Sequence, residues 1–310
     1  MTSIDVVIPN YNYGHYLRGC VESVLSQDVD ALRLLIIDNA SNDDSAELAR
    51  ELAKADPRIE TLLRPKNMGP HASFNDGVDW AKSDYFLILC SDDLLTKGAL
   101  SHAMGIMEND PQVSLVYGKA VFSTDQDIAK ASGSQPTRNA WRRMAGHALI
   151  ERFCKTGRNH ISGPTAIVRT AAQKRAGRYR PSLPHTDDLE MWMRIALLGD
   201  VVETERQQAI ARVHGGNQSA TVANIHRWNL EFKAAFESFF ENEGRAMSDA
   251  KELLETARRN LGERAYWSAL AHMARREAGA AKLMAFALKS RPSMAILPPF
   301  GYLARRSRSI

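Results

Sequence analysis

Four short runs of branched and aliphatic residues, at 4–8, 32–37, 59–63 and 85–90, recur in the first part of the chain. Between them, residues 16–27, 42–55 and 72–81 carry apolar side chains at helical spacing. No other feature limits the fold as much. Strand, helix and strand repeated at this spacing predict a parallel sheet with helices on both faces. The polar loops after the four strands then gather at one edge, where open parallel sheets bind ligands. Pro9 is expected to stop the first strand, since it has no N–H to give to a ladder.

Further along, residues 113–121, 165–169 and 209–213 read as strands, 99–107, 141–154 and 187–198 as helices, and 125–138 as a loop. After Thr221 the pattern becomes almost wholly helical, with breaks expected at Gly244, Gly262 and Pro292. The expected organisation is α/β: a domain over residues 1–220, then a helical C-terminal region over 221–310. Charge is uneven. From Arg245 onward 13 Lys/Arg face 5 Asp/Glu, a net of +8, so a chain of +4 leaves −4 for the residues before. The basic part lacks the interleaved aromatics of a nucleic-acid binder, and no nucleic-acid partner is expected. Cys20, Cys90 and Cys154 are scattered and odd in number, so no disulfide framework is expected and a reducing cytosolic environment fits. Cys90, in the fourth strand run, reads as a small core residue. No basic leader and no run of ~20 apolar residues is present, so the expectation is a chain neither secreted nor membrane-spanning.

The fourth strand run ends in Ser91, Asp92 and Asp93. Folding alone does not favour adjacent carboxylates at the mouth of an apolar strand, because they repel and each is costly to desolvate. Capping the next helix accounts for one acid. A divalent cation holding a phosphorylated substrate accounts for both.

Six segments carry a family resemblance. Val6-Val-Ile-Pro-Asn-Tyr-Asn12, with Leu17, Ser23, Leu25 and Gln27, resembles the opening of family 2 glycosyltransferases. Leu35-Ile-Ile-Asp-Asn-Ala-Ser-Asn-Asp43 is similar to the second-strand nucleotide motif of that family. Arg64 with Asn67-Met-Gly69 and Asn75-Asp-Gly77 resembles its third segment, and Ser91-Asp92-Asp93 falls where its metal motif stands. Asp187-Asp188-Leu189 with Arg194, and Arg212-Val-His214, resemble its two late motifs. Their order over roughly the first 220 residues makes the resemblance specific. Cys90 occupies a slot where the family often has a further aspartate.

The resemblance implies a GT-A-type nucleotide-binding fold with a mostly parallel central sheet, a nucleotide-sugar donor (a UDP-sugar), and inversion at the anomeric carbon. On it, Pro9, Tyr11, Asp38, Asn67, Asp92 and Arg212 are the expected donor-binding residues. Asp38 has the character to accept a hydrogen bond from a pyrimidine imide, and Tyr11 offers a face for stacking; a turn aspartate and an exposed tyrosine are the plain alternatives. Asp93 and His214 are the expected ligands of Mn²⁺ or Mg²⁺, and a histidine ligand tilts the choice to Mn²⁺. Asp188 is the expected general base, its proton affinity raised by Asp187, with helix capping as the alternative. Arg194 is read as an anchor of the helix, and residues 163–165 as lining the site below the sugar.

The C-terminal stretch sets apolar groups such as Ile296, Leu297, Phe300 and Leu303 beside basic ones, too short to cross a bilayer. Two readings stand: an element resting on an anionic membrane surface, with a lipid-linked glycan acceptor, or a stripe packed on the catalytic domain. The leading function is a metal-dependent transferase acting on a glycan or lipid-linked glycan in cell-surface polysaccharide assembly. A sugar nucleotidyltransferase, or a degenerate transferase serving as a membrane-associated assembly partner, are the alternatives.

Overall fold

The computed structural model describes residues 2–128, 140–216 and 225–306. Most of the expected loop at 125–138 and the expected boundary near 220 lie outside them. The chain divides into two compact units. The first takes residues 1–146, 161–181 and 195–215, and the second 147–160, 182–194 and 216–310.

In the first unit, β1 (Ser3–Asn10), β2 (Ala31–Asp38), β3 (Ile59–Leu63) and β4 (Tyr85–Ile88) pair in parallel in the order β3-β2-β1-β4. Helices α1 (Gly14–Leu25), α2 (Ser45–Ala55) and α3 (Pro70–Trp80) make the crossovers. Ile4, Val6, Ile8, Leu34, Ile36 and Leu87 are buried with Leu17, Val21 and Val24 of α1, which is why the strand runs are apolar throughout. On the other face, Val7 lies against Gly77 of α3. A Cβ there would come within 2.8 Å of Val7 Cγ1, so the glycine permits the close approach of helix to strand.

Beyond β4 the sheet continues through β5 (Leu94–Leu95), β6 (Val113–Ser123), β7 (Trp141–Met144), β8 (Ile167–Arg169) and β9 (Asp200–Arg212). The order is β4-β8-β6-β9-β5, with β7 on β9. The long pairings are parallel, and the antiparallel ones, at β4–β8, β6–β8, β5–β9 and β7–β9, are short. Helices α4 (Ala99–Asn109) and α6 (Thr170–Ala176) complete the first unit, while α5 (Gly146–Thr156) and α7 (Asp187–Ala196) fall almost wholly in the second.

The second unit is helical, with α8 (Ile225–Glu241), α9 (Ala250–Ala274), α10 (Ala280–Ser290) and α11 (Phe300–Arg306). Phe236, Phe239, Leu253, Leu261, Leu283 and Phe286 form its interior.

Four sequence expectations need correction. Pro9 does not stop β1: it pairs in register with Ile37, and β4 ends at Ile88, opposite Val7, so no strand asks Pro9 for an N–H on that side. Gly262 does not break a helix; it sits within α9, where a Cβ would come within 2.7 Å of Ser290 Cβ. Its role is close packing of α9 on the end of α10. The stretch 141–154 is a strand and then a helix, because β7 pairs with β9 before α5 begins. Cys90 is exposed, β4 having ended two residues earlier.

Candidate active site

The β1 and β2 ends are tied to each other. Asn10 Nδ2 donates to Asp38 Oδ1 at 3.0 Å, the Ser41 hydroxyl donates to the same oxygen at 2.6 Å, and the Ser41 N–H donates to Oδ2 at 3.0 Å. Asp38 is therefore buried and already engaged. Two non-glycine residues adopt positive φ here, Asn12 at 58° and Ala40 at 62°. Backbone strain of this kind costs ~1–3 kcal/mol each and collects at binding sites. Tyr11, next to Asn12, is 41% exposed, a flat group available to a ligand. Pro9 is half-buried in the strand.

The third motif is a clasp. Arg64 Nη2 donates to Asp76 at 2.5 Å, and Asn75 exchanges hydrogen bonds with the Tyr179 backbone at 2.7 and 3.0 Å. Asn67 Oδ1 accepts from Asn39 Nδ2 at 2.9 Å and from the Gly69 N–H at 2.8 Å. These contacts fix the loop that leads into α3. Asn67 is exposed, with Nδ2 turned to no partner among the described residues.

After β4 the chain turns sharply, the Asp93 N–H donating to the Cys90 carbonyl at 3.0 Å. The last turn of helix α1 and the residues just after it clamp the segment beyond this turn. Ser23 Oγ accepts the Leu95 N–H at 3.0 Å, while Gln27 donates to the Thr96 carbonyl at 2.9 Å and accepts the Leu100 N–H at 3.2 Å. Asp92 and Asp93 are thereby held in place and buried. The end of β9 meets them. The Arg212 N–H donates to Asp93 Oδ1 at 3.1 Å, Arg212 Nε donates to the Asp92 carbonyl at 2.8 Å, and His214 Nε2 lies 3.1 Å from Asp92 Oδ2. Arg212 Nη1 also pairs with Asp125. Burial, and then the Asp92 charge alongside, push the Asp93 carboxyl up to about 8.

An aromatic wall completes this cluster. The Arg212 guanidinium lies 4.4 Å from the Tyr16 ring centre, and the Tyr13 and Tyr16 rings each lie 5.3 Å from that of His214. Burial and the Asp92 charge push the Tyr13 hydroxyl up to about 12. Sequence reasoning missed Tyr13 and Tyr16. Their spacing on the first turn after β1, on the same segment as Tyr11, was the available signal.

A divalent cation suits this donor set. Among the described residues no three His, Cys, Asp or Glu side chains are already gathered into a cation cage. Asp92, Asp93 and His214 offer carboxylate oxygens and one imidazole in a buried place, where burial and then the adjacent Asp92 charge raise the Asp93 carboxyl. Ser91 Oγ, next to the pair, is buried with no partner among the described residues. Hard oxygens with a single nitrogen fit Mn²⁺ or Mg²⁺.

The other acid pair belongs to the second unit, at the start of α7. Asp188 Oδ1 accepts the Leu189 N–H at 2.6 Å, and Asp188 Oδ2 accepts from Asn159 Nδ2 at 2.8 Å. Burial raises the Asp188 carboxyl to about 6 against those two hydrogen bonds. Asp187 is raised well above the ordinary range by burial and by Asp188. Arg194 anchors the helix, its guanidinium donating to buried Glu190 through Nε and Nη2 at 2.7–3.0 Å. His160 contacts Thr156 Oγ1 at 2.7 Å and stacks on Phe153, a structural role.

A parallel nucleotide-binding sheet, a buried acid pair at the carboxyl edge of its strands and a short antiparallel extension define the GT-A class. The family model described as glycosyl transferase family 2 matches residues 5–176, so the chain belongs to that family. Solved structures agree on the fold. S. aureus TarS 1-349 in complex with UDP-GlcNAc superposes with a TM-score of 0.62 at 16% identity, covering 95% of this chain and 92% of that one. Mannosyltransferase PcManGT from Pyrobaculum calidifontis, in complex with GDP-Man and Mn2+, gives a TM-score of 0.56 at 17% identity, covering 97% and 84%. Among curated relatives, an uncharacterized glycosyltransferase of Haemophilus influenzae is 33% identical over 122 residues, 39% of this chain and 48% of the relative. The GalNAc(5)-diNAcBac-PP-undecaprenol beta-1,3-glucosyltransferase of Campylobacter jejuni is 28% identical over 131 residues, 42% of each. The chain thus spans less than half the length of these two relatives.

Proposed function

We propose that the chain transfers a sugar, with inversion, from a nucleoside diphosphate (a UDP-sugar) to a glycan or lipid-linked glycan acceptor. The observation that carries this reading is the buried Asp92–Asp93 pair with Arg212 and His214 set against it. Asp93 and His214 would hold a divalent cation, which when bound offsets the charge of the departing diphosphate. The PcManGT complex, named with GDP-Man and Mn2+, supports that choice of cation and of donor class.

This chain's own residues then divide the work. Asp38 accepts the base imide through the Oδ2 lone pair that Ser41 leaves over, and Tyr11 stacks on the base. Pro9 shapes the floor of the base site, and Asn67 Nδ2 donates to the nucleoside. Asp92 takes ribose or sugar hydroxyls. Arg212, held by the Asp92 and Asp93 backbone and side-chain contacts, gives its positive charge to the phosphates. Asp188 receives the acceptor's hydroxyl proton on a carboxylate oxygen. With its carboxyl near 6, it is ionised at neutral pH and still a better base than an ordinary aspartate.

The undecaprenol-linked substrate in the name of the C. jejuni relative supports a lipid-linked acceptor in cell-surface polysaccharide assembly, met at the cytoplasmic face of a membrane. The test is hydrolysis of UDP-sugars without acceptor. Slow release of nucleoside diphosphate, abolished by chelation and by Asp93→Ala, is expected. Release that survives both contradicts the metal-dependent reading, and none from any nucleotide sugar leaves a degenerate assembly partner.

A further inference from the structure

Within the second unit, Ile296 is 91% exposed, Leu297 70%, Phe300 63% and Leu303 43%. Four large apolar side chains in eight positions turned to water are far more than the scattered surface apolar groups of a soluble domain. They are not a frayed end. Met294, just before them, is buried, its Cε among the nearest atoms to Gly262 of α9. Trp267 Nε1 donates to the Pro299 carbonyl at 3.1 Å, and the Trp267 ring lies 5.6 Å from that of Phe300. The backbone is pinned at 294 and 299, and the apolar groups between and beyond are held outward.

No helix among the described residues is long and apolar enough to cross a membrane. The neighbourhood is cationic: between residues 273 and 303 there are five Lys/Arg and one Glu. Lys282, Lys289, Arg276 and Arg275 are all exposed. Met273, 49% exposed at the end of α9, adds a further apolar group beside the two arginines.

We infer that residues 296–303 form a wedge that inserts shallowly into an anionic lipid surface, with the surrounding lysines and arginines on the headgroups. Charge decides the occupant. A second copy of this face would bring like charges together as the apolar groups met, whereas anionic headgroups neutralise the cations while the acyl region takes the wedge. The inference rests on the transferase reading only for its purpose, bringing the chain to a lipid-linked acceptor.

The experiment is vesicle co-sedimentation of the full chain, without donor or acceptor. Mixed phosphatidylglycerol–phosphatidylcholine vesicles should bind at least about tenfold tighter than pure phosphatidylcholine, with binding falling as salt rises. Ile296→Asp with Leu297→Asp should weaken binding about tenfold or more. Lys282→Glu with Lys289→Glu should weaken it about tenfold and flatten the salt dependence. All four side chains are exposed or on the exposed face of α10, so circular dichroism and UDP-sugar hydrolysis should be unchanged. Equal binding to both vesicle types, or binding untouched by either double substitution, overturns the wedge. So does a concentration-dependent dimer in ultracentrifugation that the Ile296–Leu297 double substitution dissolves, since a second copy would then cover the face. Hydrolysis with no vesicle binding sinks the wedge alone; vesicle binding with no hydrolysis sinks the transferase reading alone.

Discussion

Asp92–Asp93 and Asp187–Asp188 are the same dipeptide, both largely withdrawn from water, yet their neighbours differ in kind. The first pair is met by groups that carry positive charge or can take it up, Arg212 and His214. At the second, the Asn159 amide and the Leu189 N–H orient Asp188 without neutralising it. The nearest cation on the same helix, Arg194, is spent on Glu190. A site with an arginine and an imidazole set against two carboxylates suits a polyanion with its counter-ion. A carboxylate oriented by neutral donors is built to exchange a proton. Environment, not residue type, divides the roles.

The largest expected effect tests the second pair. Asp188→Asn should lower the turnover of sugar transfer by about 10²–10⁴-fold while leaving the donor KM nearly unchanged, as loss of proton transfer alone does. A raised donor KM with normal turnover would break the contrast. Next, chelation or Asp93→Asn should lower turnover by about 10²–10³-fold and weaken donor binding together. A third test is the pH profile. Asp188 must be ionised to act, and its carboxyl titrates near 6, so the rate should fall about tenfold for each pH step below that value and level off above it. His214→Gln should have a smaller effect, about tenfold in turnover, with Mn²⁺ losing its advantage over Mg²⁺.

The smallest effect is on stability. A carboxyl with a raised folded-state value binds its proton more tightly folded than unfolded. That contribution is present at low pH and is lost as pH rises from the ordinary aspartate value through about 6 for Asp188 and about 8 for Asp93. At pH 9 without ligand, both Asp93→Asn and Asp188→Asn should therefore melt a few degrees higher than the native chain in calorimetry. A lower melting point for either would show that its carboxylate is satisfied by the protein alone.

Much of this was legible in the residues. The parallel strands of β1 to β4 announce themselves because both sheet faces are covered, so each strand is an apolar run; β3 matches its expected bounds, and the other three begin within a residue of theirs. The first nine residues of β9 were missed, since Glu203, Glu205, Arg206, Gln207 and Gln208 break any apolar alternation. Gly262 stays inside a helix because its close packing against Ser290 outweighs a glycine's local preference, and that packing is not visible in one dimension. At the site, the acid pairs stood out because nothing in folding asks for them. The clasping role of Arg64, Asn67 and Asn75 did not, because their partners Asp76, Asn39 and Tyr179 are chosen by the fold. The exposure of Cys90 depended on β4 ending at Ile88, and strand ends are where sequence patterns are least decisive.

One measurement addresses the division of labour directly: thermal melting of the native chain, Asp93→Asn and Asp188→Asn with UDP, each with and without Mn²⁺. A ligand that binds only the folded state must raise the melting point. UDP should stabilise the native chain and Asp188→Asn only when Mn²⁺ is present, and should leave Asp93→Asn unmoved. Equal stabilisation of all three, or a shift lost in Asp188→Asn and kept in Asp93→Asn, would contradict the account.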